Sequence, residues 1–254
     1  MKKYSSVWAL TVRTVLFPIL ALLAVCAAAQ IGFFARAMQA DPIPLSFGST
    51  EAAPWQGRLA MDALLTQSRT ALFAGFALLG MIALCCSWCS KENTLYTLSR
   101  LRISYRRVML CQVCANTMFF LLFWGAQICV LLAQSALYLS RDCANPQGFF
   151  LACWQSGFAH RILPLDDTVG WLTDLLLTAA LGISVTTFAH RRRKGRFSWG
   201  FTVLAVGLGV FAQADFTGAA SPLLFILSGF VLLADGLILF GKEEDSDEAS
   251  AEAS

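Results

Sequence analysis

Long apolar runs alternate with short polar segments along this chain. Six of the runs hold roughly 20 predominantly apolar residues, about what a helix needs to cross ~30 Å of hydrocarbon. They fall at about 14–36, 70–90, 108–139, 168–189, 198–214 and 222–241. The third is long enough to tilt or to begin in the interface, and the fifth is short and contains glycine. The pattern predicts an all-α fold, a polytopic membrane protein with six transmembrane helices within residues 1–241. The last twelve residues carry six acids and no aromatic side chain, so 242–254 is expected to be a disordered, solvated tail.

Lys2 and Lys3 ahead of an apolar run imitate the start of a signal peptide. Arg13 splits that run, however, and the apolar part beyond it is long enough to span, so the first helix is read as retained.

Charge assigns the sides. With the N-terminus inside, fourteen Lys and Arg fall in cytoplasmic segments and five in outer ones, which places both termini in the cytoplasm. The net charge of +3 conceals this asymmetry, because the acidic tail offsets it. A basic balance of this kind reports topology, and no nucleic-acid partner is expected. "HRRRKGR", from His190 to Arg196, reads as a stop-transfer run that anchors to anionic membrane lipids.

In the first outer loop three prolines precede a weakly amphipathic piece from Trp55 to Leu65, expected to lead into an interfacial helix. The second outer loop carries Phe149, Phe150, Trp154 and Phe158 with few charges, as a segment at headgroup level would. Cys143 and Cys153 both lie there. An oxidising exterior would let them form a disulfide, and two unpaired cysteines in an interfacial helix fit the sequence equally well. Ala24, Ala28 and Gly32 in the first span, and Ala71 with Gly75 in the second, recur at four-residue spacing and predict close helix approach.

Catalytic constellations are absent. The two histidines, His160 and His190, fall on opposite sides of the membrane in this topology, and the sequence has no H-E-x-x-H, G-x-S-x-G or P-loop motif. The pairs Cys86-x-x-Cys89 and Cys111-x-x-Cys114 lie in or beside the apolar ends of spans, where cysteine behaves as a small hydrophobe. No catalytic residue, metal or cofactor is therefore assigned to the chain itself.

Polar residues inside spans are costly and carry more information. In the third span Gln112, Asn116, Gln127 and Gln134 fall within about 60° of one another on a helix advancing about 100° per residue, which makes one polar stripe. The stripe is expected to bond between helices, to line a translocation path or to form a dimer seam. Asp174 and Asp235 sit near opposite ends of the fourth and sixth spans. Asp174 is placed near the outer interface and Asp235 within reach of a cytoplasmic Arg, so a proton relay through either is the lesser reading.

Between the second and third spans stands "KENTLYTLSRLRISYRRVML", Lys91 to Leu110, a basic stretch with regularly spaced leucines. Asn93 or Thr94 can cap a helix whose Leu95, Leu98 and Leu101 fall on one side, leaving Arg100, Arg106 and Arg107 to reach phosphates or carboxylates. The segment resembles the cytoplasmic coupling loop of type-2 ABC exporter permeases. In that family an acid precedes Gly-Thr-Leu-Glu, and a leucine-rich helical turn leads to Leu-Pro-Ile-Ser-Arg. Here Glu92 is the acid, Thr94-Leu95 matches the Thr-Leu, and Leu101-Arg102-Ile103-Ser104 falls at the Leu-Pro-Ile-Ser position. The chain departs from the pattern at Asn93, Tyr96, Arg102 and Tyr105, and its long aromatic loop lies between spans three and four instead of five and six.

The resemblance implies a permease subunit of an ATP-driven exporter in a bacterial plasma membrane. It implies coupling through 91–107, with Glu92, Thr94, Leu95, Leu98, Arg100, Leu101, Arg102, Ser104 and Arg106 meeting a separate ABC ATPase subunit that holds ATP and Mg. A second permease subunit, identical or not, would complete the pair. A non-enzymatic immunity, sensor or assembly protein without an ATPase is the alternative reading of the same residues.

Overall fold

The structure, a computed structural model, describes residues 2–39, 61–89, 105–140, 146–165, 167–193 and 220–240. These residues form eight helices and no strand: α1 (Lys2–Ala37), α2 (Met61–Gln67), α3 (Thr70–Cys89), α4 (Tyr105–Leu139), α5 (Gly148–Gln155), α6 (Gly157–Ile162), α7 (Thr168–Arg193) and α8 (Ala220–Phe240). With no water in the bilayer core to satisfy backbone amides, helices are the form such apolar runs must take.

Four of the helices are long and apolar enough to cross a membrane, within Val12–Ala37, Thr70–Trp88, Arg107–Leu139 and Thr168–Arg192. The described residues are thus all-helical, and their four long apolar helices give the chain the make-up of a multi-pass membrane protein. These four coincide with the first four expected spans. The sixth falls on α8, where the described apolar stretch is Phe225–Leu239, and the fifth, 198–214, lies outside the described residues, as does the acidic tail.

α1, α3, α4 and α7 bury one contiguous core. It runs through Ile19 and Leu23 of α1, Met81 and Cys85 of α3, Phe119 and Phe120 of α4, and Leu181 and Val185 of α7, and Val231 of α8 joins it. α2, α5 and α6 cover one end of this bundle, called here the capped end. There Met61 and Leu64 of α2 and Ala152 and Cys153 of α5 pack with Phe34 of α1 and Leu131 of α4 in a second core. Between α2 and α3 Arg69 adopts a positive φ of 52°, which turns the chain sharply into the bundle. The outward faces stay apolar: Phe17, Phe76, Phe230 and Leu237 are all largely exposed, as lipid-facing side chains must be.

Helix direction follows from the contacts. α1 and α4 run toward the capped end, and α3 and α7 run away from it. α8 runs parallel to α7, because Gly229 faces Leu176 while Gly236 faces Ile183.

The small-residue stripes do not make the expected approaches. Ala24, Ala28, Gly32 and Ala71 lie on exposed faces, and a Cβ added at Gly32 or Gly75 would meet nothing within 4 Å. The close crossings are elsewhere, at Gly80 against Leu22 and at Gly182 against Thr117. Four-residue spacing marks a face, but which face meets a neighbour depends on the larger side chains around it.

Candidate functional site

Three helices and one turn assemble a polar network inside the bundle, toward the capped end. Gln30 of α1 donates from Nε2 to the carbonyl of Thr70 (3.5 Å) and to Gln127 Oε1 (3.2 Å). From α4, Gln134 donates from Nε2 to the carbonyl of Gln30 (3.3 Å) and to Thr70 Oγ1 (3.3 Å). Ser68 and Thr70, brought side by side by the turn at Arg69, share a hydroxyl contact of 2.8 Å, and Ser68 also donates to the carbonyl of Leu65. Gln30 and Gln134 are both 0% exposed.

The bonding fixes the amide orientations, since a main-chain carbonyl accepts only from the NH2 side. Both protons of each NH2 group are then engaged, and Gln30 Oε1 and Gln134 Oε1 remain as buried acceptors with no hydrogen-bond partner. The network therefore has acceptor capacity to spare. It can receive a hydrogen from water or from a hydroxyl or amine that reaches it.

Toward the opposite end polar side chains also link helices. Asn116 of α4 donates to Thr186 Oγ1 of α7 (3.0 Å), one turn from the close crossing of Gly182 and Thr117. Gln112 is buried at the same interface end of α4. All four members of the α4 stripe thus lie inside the chain, Gln127 and Gln134 facing α1 and α3, and Asn116 facing α7.

At the capped end Trp124 donates from its indole nitrogen to the carbonyl of Ile162 (3.0 Å), and its ring lies 5.1 Å from that of Trp171. This pair ties α6 to α4 and α7. Arg161 of α6 is drawn toward Asp174 of α7; burial pushes its guanidinium below the ordinary value and the Asp174 charge opposes that shift. Cys153 is buried in α5 as a free thiol pushed up by desolvation, while Cys143 lies outside the described residues.

Of the expected coupling residues, Glu92, Thr94, Leu95, Leu98, Arg100, Leu101, Arg102 and Ser104 lie outside the described residues, and Arg106 enters the first turn of α4 with its side chain not described. Among the described residues no group of His, Cys, Asp or Glu is arranged to hold a metal ion.

The α4 stripe was readable from periodicity, but its partners were not. Gln30 had a usable signal, because it is the one amide or charged side chain between residues 14 and 35. Ser68, Thr70 and Thr186 had none, since hydroxyls satisfy themselves within helices too often to mark a site. Compared with family models, curated proteins and solved structures, the chain matches none.

The network predicts a coupling that can be measured. Gln30→Leu removes two interhelical bonds, so it should cost about 1–3 kcal/mol, given an average of about 0.6 and a maximum of about 1.7 kcal/mol per such bond in membranes. Adding Gln127→Leu should cost less than the two single changes together, because the first change already strands the Gln127 oxygen. Denaturant titration of the three purified variants gives the cycle, and strictly additive costs would show that the two amides are independent.

Proposed function

We propose that this chain is the permease subunit of an ATP-driven exporter in a bacterial plasma membrane, driven by a separate ABC ATPase at residues 91–107. One observation carries the reading: α3 and α4, the helices that flank this basic stretch, both reach the polar network at the other end of the bundle. α3 brings Thr70 and α4 brings Gln127 and Gln134. A displacement applied to the connecting segment is therefore passed along two stiff helices, each of spanning length, to the buried acceptors near the capped end.

The topology supports six crossings with both termini in the cytoplasm. α7 ends away from the capped end, whereas α8 starts near it and runs parallel to α7. The apolar run 198–214 lies between these two helices in the sequence. The predominance of Lys and Arg in the sequence following α3 and α7 supports a cytoplasmic side opposite α2, α5 and α6. Exporters of this kind act as pairs, and a second permease subunit would meet this one through the exposed apolar faces.

The test is co-purification from the native membrane in mild detergent. A stoichiometric P-loop ATPase should accompany the tagged chain, and its hydrolysis should change on reconstitution with it. A chain that purifies without such an ATPase, from membranes where it is expressed at its natural level, would overturn the reading.

A further inference from the structure

Phe33 of α1 and Phe73 of α3 stack with their ring centroids 5.0 Å apart, and farther from the capped end Gly80 meets Leu22, so the two helices run antiparallel in a fixed register. Arg36 follows Phe33 by three residues and Arg69 precedes Phe73 by four. Both therefore stand about one turn from the aromatic pair, on its capped-end side. Both are exposed, and among the described residues neither is paired with an acid.

Helix electrostatics account for only one of these cations. Arg36 lies in the last turn of α1, where the partial negative charge of a helix C-terminus favours it. Arg69 stands at the other kind of end. Its carbonyl accepts from the amides of Leu72 and Phe73, so it is the residue that opens α3, where the helix is partly positive and no acid occupies the first turn. It also holds a positive φ, which a residue with a side chain adopts at a cost. Two cations and the amides of a helix N-terminus at one level make a locus that an anion neutralises. One turn below, the surface is apolar, and Phe33, Leu72 and Phe76 are exposed on it.

We propose that Arg36, Arg69 and the N-terminus of α3 bind the phosphodiester of a phospholipid in the leaflet on the capped-end side. Charge complementarity selects the phosphate, and the exposed apolar side chains below it receive the acyl chains, which a soluble phosphate lacks. The bound lipid ties the end of α1 to the start of α3, at the point where Gln30 donates to the carbonyl of Thr70, the residue after Arg69. The site does not depend on the export reading, because the lipid is recognised by these groups alone and the readout is binding.

The experiment titrates dioleoylphosphatidylglycerol into the full chain in neutral maltoside micelles and counts bound lipid by native mass spectrometry. Two control arms use dioleoylglycerol, which has the same chains and no phosphate, and inorganic phosphate, which has no chains. Arg36→Gln or Arg69→Gln should weaken the binding of one phosphatidylglycerol molecule about fivefold, the effect of one cation at a lipid surface, and the double change about 25-fold. Dioleoylglycerol should bind the wild type and the double variant alike. The basic run 190–196 is the same in all these chains, so only the difference between variant and wild type counts. A double variant that holds phosphatidylglycerol as tightly as the wild type overturns the site. Displacement of the lipid by millimolar inorganic phosphate reassigns the site to a soluble anion and overturns the lipid as its occupant. Should the double variant fail to fold, the two single changes decide in the same way, since each leaves one cation in place.

Discussion

Gly182→Ala is expected to destabilise the bundle by about 2–3 kcal/mol, the upper part of the range for overpacking a filled interior. An added Cβ would overlap Thr117 Oγ1 and lie 2.9 Å from the Thr117 backbone nitrogen and 3.1 Å from its Cα. A side chain can rotate away from such an intrusion, but the backbone of α4 cannot move without the helix moving. The separation of α4 from α7 should also stretch the Asn116–Thr186 bond one turn away, so part of the cost is polar. Gly80→Ala provides the internal comparison. There the intruding methyl meets Leu22 Cδ2 at 2.7 Å, the far end of a flexible side chain, and a new rotamer can relieve it. Denaturant midpoints for the two variants in the same detergent check the difference, and a Gly182→Ala cost no greater than that of Gly80→Ala would show that the α4–α7 crossing yields easily.

Leu98→Asp together with Arg100→Glu is expected to abolish export while leaving insertion and folding intact. Leu98 sits at the centre of the Leu95, Leu98 and Leu101 row, so an acid there places a charge in the middle of the surface an ATPase groove would grip. Arg100→Glu reverses a charge that the proposed partner would meet with phosphate or carboxylate. The stability of the purified chain is expected to stay within about 0.5 kcal/mol of the wild type. ATP hydrolysis and transport measured together in vesicles separate the outcomes. Hydrolysis without transport is the expected result, and normal transport with both changes would remove the coupling role from 91–107.

Much of the architecture was legible because the bilayer simplifies the code. A run of about 20 apolar residues has essentially one solution in hydrocarbon, and α1, α3, α4 and α7 lie where their runs predicted. The α4 stripe was legible for a similar reason: amides spaced around a common direction on a lipid-immersed helix have to turn inward, and Gln112, Asn116, Gln127 and Gln134 are all buried. Small-residue spacing misled because it is a weak constraint. Alanine costs little facing lipid, so Ala24 and Ala28 sit outside as comfortably as inside, whereas Gly182 is forced by the backbone of Thr117.

The sequence by itself determined which segments are helical and apolar, which of their residues are too polar to face lipid, and how Lys and Arg are divided between the loops. Each of these is a property of one segment against its solvent, and a transfer free energy decides it without reference to any other segment. Only the tertiary structure decided which polar residues meet. That Gln30 bonds to Gln127 across 97 positions, that Thr70 joins them through a turn at Arg69, and that Ser184 finds Asp235 depends on the rotation and depth at which whole helices pack. Those settings come from many side-chain contacts acting together, and no single stretch of the chain contains them.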